Sequence, residues 1–414
     1  MATLAPDPAT GSGPADPGAR PLSDRGPSAP TLVGLTYFLL AATLAFGAVL
    51  PPLSEDLDRT GTVIALHGSF FGWAMCALAL GGAGLLHRLG DVRALVLAIV
   101  AMGVGGVVFA SVGSLSVTLT GAAIASVGGA VAVVVVPGLV ARRWPERQTE
   151  LFARVNAFPM ASATLLPLLV GAGVAVGVGW RIPYLVPTVV VAAVLLRFLP
   201  AALRDHQRRA TPAPAAGGAA AAGGAAAGPL GLLRSVVVAR RFALLVMAIA
   251  VEIGLGLWAG LVFSDLADTS TAWSSVLIAP FFVGMGLTRL ALPRLLRVLG
   301  EAKLLVGGFC AVGVTMTTFA LVPGAAAKAV AVAAVGVALA PLYPVGVTRL
   351  FLATDAAPVR TSALAALASG AGVTLGPLVL GLLADAVGLQ GGLLVLAGLA
   401  VVSGLGLAVR FRPS

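Results

Sequence analysis

The chain has 414 residues, of which 59% are hydrophobic and 10% charged, with a mean hydropathy of +1.04. Soluble domains are about 45–50% apolar and about 25% charged, and disordered chains are poorer still in apolar residues, so both classes are excluded. The formal charge of +10 would suit a nucleic-acid binder, but its distribution assigns it to membrane orientation. Arg59, Arg181 and Lys328 fall on one side and Arg289 falls within a span. The remaining basic residues lie in segments read as cytoplasmic, the pattern of the positive-inside rule. No nucleic-acid footprint is left over.

In chain order, residues 1–30 are rich in Pro, Gly, Ala and Asp and read as a disordered cytoplasmic tail. The first apolar run begins near Thr31 and is too long for the h-region of a signal peptide. A span needs about 20 apolar residues to cross ~30 Å of hydrocarbon. Spans of that kind are expected at 31–53, 61–86, 94–115, 117–140, 152–177 and 182–202. Residues 203–239 contain an Ala/Gly-rich stretch flanked by Arg204, Arg208, Arg209 and Arg234, and read as a flexible cytoplasmic linker. Six further spans are expected at 241–263, 272–296, 303–323, 326–350, 360–384 and 391–409. The fold class is therefore all-α and polytopic. Twelve helices would form an N-terminal half at 31–202 and a C-terminal half at 240–410, in the plasma membrane with both termini cytoplasmic.

The halves are related by repetition. Residues 85–95 (LLHRLGDVRAL) match residues 295–305 (LLRVLGEAKLL) at an offset of 210. The segments beginning at Pro167 and Pro377 match at the same offset. Parallel six-span repeats build one large class of secondary transporters.

These residues resemble the major facilitator superfamily over roughly 31–410. Its loop pattern GxLaDRxGRR is met here by Gly84, Leu85, Arg88 and Gly90. His87 stands in place of the acid, Asp91 follows the glycine, and Arg93 comes later. The resemblance implies that this loop is a conformational latch, repeated in the second half by Arg297, Gly300, Glu301 and Lys303. GlyTrpArg at 179–181 followed by Tyr184, and GPLVLGLLADAVGL in span eleven, are also familiar in the family. Glu252 and Trp258 in span seven, GMGLTR ending at Arg289, and ALAPLYP at 338–344 look like the sugar-permease branch that includes fucose permease. That branch also carries acids in its first half, whereas spans 1 and 4 here have none.

Glu252 falls near the middle of span seven, where a charge costs about 2.5–3.5 kcal/mol even on lenient insertion scales. Three readings are open: proton coupling or substrate contact, a fixed ion pair with Arg289, or simple cavity lining. Trp258 lies about 120° round the helix from Glu252 and would share its face only if Gly254-Leu-Gly256 bends the span. An indole could stack on a sugar or anchor at the interface. His67 suits a proton relay or a satisfied interior histidine. The family's cavity is lined chiefly by spans 1, 4, 7 and 10, which makes Tyr37, Asn156 and Tyr343 cavity candidates, although Asn156 could instead satisfy backbone.

HExxH and GxSxG are missing, and neither Lys303 nor Lys328 precedes Ser or Thr as a P-loop requires. No enzymatic site, metal site or cofactor is expected, and Cys76 and Cys310 read as small hydrophobes. The expected function is a secondary transporter moving a small organic solute, with protons as coupling partner and the bilayer as its surroundings. Uptake of a sugar-like solute and efflux of a drug or metabolite are both open: sparse polar cavity residues favour apolar cargo, Glu252 and Trp258 a sugar-like one. A non-transporting receptor or scaffold is the remote alternative, and no obligate protein partner is evident.

Overall fold

Leu, Val, Ala and Gly dominate the apolar runs, and in lipid a chain must satisfy its backbone within each segment, so these runs form helices. The computed structural model describes residues 27–58, 62–209, 229–354 and 358–408; every regular element among them is helical. The first half comprises α1 (Ala29–Thr43), α2 (Phe46–Leu57), α3 (Thr62–Ala77), α4 (Ala83–Leu89), α5 (Asp91–Ser111), α6 (Leu115–Arg143), α7 (Gln148–Ala175) and α8 (Arg181–Arg209). The second comprises α9 (Val236–Ala267), α10 (Thr271–Val276), α11 (Ala279–Leu321), α12 (Ala325–Leu339), α13 (Leu342–Phe351) and α14 (Pro358–Ala408). The tail and most of the linker lie outside the described residues. The helices on either side of the linker encroach on it, since α8 runs on to Arg209 and α9 begins at Val236.

Ten helical stretches among the described residues are long and apolar enough to cross a membrane. Two of them, Thr271–Leu321 and Arg360–Leu407, hold 51 and 48 residues. At ~1.5 Å per residue each would run over twice the ~30 Å hydrocarbon thickness if straight. Both are broken by a glycine in non-helical conformation, Gly300 (φ 72°, ψ 163°) and Gly388 (φ 77°, ψ 160°).

The backbone turns carry the same spacing as the sequence match. Asp58 and Asp268 both terminate helices in the left-handed region with φ 49°. Gly90 (φ 71°, ψ 159°) and Gly300 turn the chain in the same way, in a conformation only glycine adopts without strain. Each pair is 210 residues apart.

The loop residues of the expected latch are resolved into two ion pairs. Asp91, in the first turn of α5, accepts from Arg142 Nη2 on both oxygens at 2.7 Å. Arg349 Nε lies 2.6 Å from Glu301 Oε2. Each acid sits just after the glycine turn, where a helix N-terminus favours negative charge. Each arginine comes from the end of the fourth or tenth apolar run, and neither was among the expected latch residues. Arg88, Arg93 and Lys303 are exposed, as is Arg297, whose Nε reaches the Pro293 carbonyl at 3.4 Å.

Glycine sets how closely the halves approach. A Cβ at Gly72 would lie 2.4 Å from the Gly370 carbonyl oxygen, and one at Gly47 would lie 2.0 Å from that of Gly256. Small residues replace side-chain packing there with direct backbone contact. We refer below to the end of the bundle at which α1 begins and α14 ends as the terminal face, and to the opposite end as the distal face.

Candidate functional site

The first span is interrupted. α1 ends at Thr43, and Leu44 and Ala45 adopt non-helical angles before α2 begins at Phe46. The break removes the Thr43 carbonyl from the helical ladder, and the Tyr184 hydroxyl on α8 donates to it at 2.9 Å. Tyr184 is fully buried beside Phe109 and Trp180. Trp180 donates its indole N–H to Asp56 at 2.8 Å, and Arg181 pairs with the same carboxylate while stacking on the indole. The GlyTrpArg and Tyr184 motif thus clamps α8 to the first span from the break to its distal end. Tyr184→Phe should strand the buried carbonyl and cost about 1–3 kcal/mol. Thermal unfolding in detergent should show a lower midpoint, and an unchanged one would refute the clamp.

A cavity of about 300 Å³ opens beside this break. It is lined from the first half by Leu40, Ala41 and residues 44–48, by Gly68 and Phe71 on α3, and by Pro159, Met160, Ala163 and Pro167 on α7. From the second half come Glu252, Ile253, Gly256 and Leu257 on α9, Ile278 and Phe282 at the α10–α11 junction, and Val373 on α14. Glu252 is the one polar side chain among these lining residues. It lies about 24 Å along α9 from its first residue. Its Oε1 accepts from Arg289 Nη2 at 2.9 Å, with the two side chains 18% and 28% exposed. Removing one partner of such a pair leaves the other in a poorly solvated position, so the pair is mutually dependent.

The other candidates are dispersed. α9 runs unbroken through Gly254 and Gly256, so Glu252 and Trp258 point to different faces. The expected bend is replaced by close packing: Gly254 abuts the backbone of Gly376, and Gly256 abuts Gly47. Trp258 is 3% exposed and donates its indole N–H to the Pro377 carbonyl at 3.2 Å. It is not among the cavity-lining residues, and neither stacking nor interface anchoring describes it in this conformation. His67 is fully buried and faces into the first half. Its Nδ1 is 3.0 Å from the Ile64 carbonyl and its Nε2 is 2.9 Å from the Thr118 hydroxyl. Because a carbonyl only accepts, Nδ1 carries a proton toward Ile64, while the Thr118 hydroxyl facing Nε2 also lies 3.0 Å from the Leu115 carbonyl. Phe46 and Phe109 enclose the ring. Tyr37 is buried on α1 and Tyr343 is exposed on α13, and neither is among the cavity-lining residues. Asn156 belongs to α7, but its side chain is outside the described residues.

On the distal side the halves are joined by polar contacts. Thr62, at the start of α3, donates its N–H and hydroxyl to Asp385 on α14 at 3.2 and 2.7 Å. The Thr271 hydroxyl donates to Glu55. Deeper in the seam, the Ser69 hydroxyl donates to the Thr374 carbonyl at 3.2 Å. The ion pairs of the terminal face, Asp91–Arg142 and Glu301–Arg349, join helices within one half instead.

No curated protein sequence matches the chain. Among solved structures, the nucleoside transporter NupG superposes with a TM-score of 0.74 at 14% identity, covering 93% of this chain and 100% of that one. A point variant of NupG gives 0.73 at 15% identity with the same coverage. At that identity the likeness is one of fold. The family model for the Major Facilitator Superfamily matches residues 31–359, most of the described helical bundle. The chain belongs to the major facilitator superfamily of membrane transporters.

Proposed function

We infer that this protein is a proton-coupled secondary transporter whose cargo is a compact, predominantly apolar organic molecule. The observation that carries the reading is the cavity between the halves, where one carboxylate stands in a wall of aliphatic, aromatic and glycine residues. A site built to hold a polyhydroxylated or nucleoside cargo needs several convergent donors and acceptors, because each buried polar group left unpaired weakens binding. Glu252 alone cannot supply them, and the indole that would have stacked on a sugar is committed to Pro377. The lining therefore favours a drug-like or metabolite cargo over a sugar.

The supporting architecture is twelve spans in two parallel repeats. The 51- and 48-residue stretches each cross twice, turning at Gly300 and Gly388. The repeated turns at Asp58 and Asp268, and at Gly90 and Gly300, support the duplication. Both termini are cytoplasmic, so the contacts Thr62–Asp385 and Thr271–Glu55 hold the outer side closed. Transport then proceeds by rocking the halves about the cavity, with Glu252 exchanging a proton and Arg289 serving as its counter-ion. One proton crossing 100 mV contributes about 2.3 kcal/mol.

The test is a thermal-shift panel on purified protein, followed by flux of each stabilising compound in proteoliposomes under an imposed pH gradient. Apolar aromatic or aliphatic compounds should stabilise, and their flux should respond to the gradient. Stabilisation by hexoses or nucleosides alone would overturn the cargo assignment; gradient-independent flux would overturn the coupling.

A further inference from the structure

A second cavity lies away from the transport site, on the perimeter of the first half. It measures about 360 Å³ and lies between α5 and α8, lined by Ile99, Gly103, Val104, Val108, Val189 and Leu196 among other apolar residues. Val104 and Val189 are exposed, so in a bilayer the groove faces lipid rather than a partner helix. The two helices run antiparallel, and a Cβ built on Gly103 would meet that of Ala192 at 3.3 Å, which fixes their register. Leu196 is therefore level with Ile99 at one end, and Val189 with residues near 106 at the other. From Ile99 to Val108 the groove runs roughly 13 Å at ~1.5 Å per residue, close to the ~15 Å depth of one leaflet.

Charge marks one end. Arg197 follows Leu196 directly, is exposed, and contacts the neighbouring Phe198 ring at 5.4 Å. Arg93 is exposed on α5 about 9 Å nearer the terminal face than Ile99. Neither arginine has a carboxylate partner among the described residues. At the distal end, by contrast, Arg181 is engaged by Asp56 and Trp180. A long arginine side chain at the level of Leu196 can reach toward the nearer interface, the side on which Arg93 also lies. Two unpaired cations thus stand where the phosphate of a lipid would sit if its chain lay in the groove.

We propose that the α5–α8 groove is a binding site for an anionic phospholipid of the leaflet at the terminal face. One acyl chain fills the groove, and the phosphate is held by Arg197 and Arg93. An apolar groove alone would accept any lipid tail. The arginines give preference by charge, worth about fivefold in affinity for each one engaged.

The experiment is native mass spectrometry of the full chain after delipidation and titration with phosphatidylglycerol or phosphatidylcholine of identical acyl chains. One phosphatidylglycerol should be retained at concentrations where phosphatidylcholine is lost. Arg197→Gln should reduce that preference about fivefold, and Arg93→Gln should reduce it to a smaller extent. Ala193→Phe, which places a ring in the groove from an exposed lipid-facing position, should lose retention of both lipids. Glycerol phosphate, a headgroup without chains, should not compete. Equal retention of the two lipids, an undiminished preference in Arg197→Gln, or competition by glycerol phosphate would each overturn the proposal.

Discussion

Glu252→Gln should abolish gradient-driven accumulation in proteoliposomes while leaving exchange of labelled for unlabelled cargo. Glutamine keeps the size and one acceptor oxygen of the side chain but cannot carry a proton through the cycle. In the proposed mechanism, exchange needs only that the loaded cavity alternate, whereas accumulation needs the cavity to respond to protons. The substitution also strands Arg289, whose one described carboxylate partner is Glu252 at 2.9 Å. Breaking a deeply buried pair costs about 3–5 kcal/mol, and the partial exposure of both groups lowers this to about 1–3 kcal/mol. A double variant with Arg289→Gln separates the two effects. It should recover much of the lost thermal stability, because neither charge is then unpaired, yet it should still fail to accumulate cargo. Uphill transport by the double variant would reduce the pair to a fastening between α9 and α11.

The seam between the halves gives the second large effect. Gly72→Leu should stop the distal side from closing. A Cβ at this position would lie 2.3 Å from the Thr374 hydroxyl and 2.4 Å from both the Gly370 carbonyl oxygen and the Thr374 nitrogen. Two of these are backbone atoms of a packed helix, which cannot turn aside as a flexible side chain would. Relief comes only from parting α3 and α14, and overpacking of this kind costs about 1–3 kcal/mol. That energy falls on the distally closed state alone, so its population relative to the opposite state should drop by about 5–150-fold. Spin labels on the exposed distal positions Ser116 and Ala326, with Cys76 and Cys310 replaced by alanine, should report a longer distance in the variant. Transport should fall with membrane abundance unchanged. An unaltered distance distribution would show that the helices absorb the side chain without parting.

The membrane class and its all-helical character were legible in the sequence because they rest on local quantities. A run of about 20 apolar residues becomes a helix in lipid whatever surrounds it. The offset of 210 residues appears again in the glycine and aspartate turns, because a positive φ selects the same residue type in both halves. The acids Asp91 and Glu301 were legible for the same reason, lying beside the glycine turns. Their partners Arg142 and Arg349 were not, since many arginines lie near the terminal ends of spans and nothing local selects among them.

At the site, the sequence by itself marked Glu252 and Arg289, because an ionisable residue within an apolar run is conspicuous without any knowledge of its neighbours. Whether charged groups meet, which way an indole points and what a glycine is for depend on contacts between helices far apart in the chain. The tertiary structure alone decided that Glu252 faces a cavity while Trp258 binds Pro377, and that His67 turns into the first half. It also decided that the Gly254–Gly256 run packs helices together instead of bending one. Helix periodicity assigns residues to faces; only the packing of the faces determines which of them look onto the cavity.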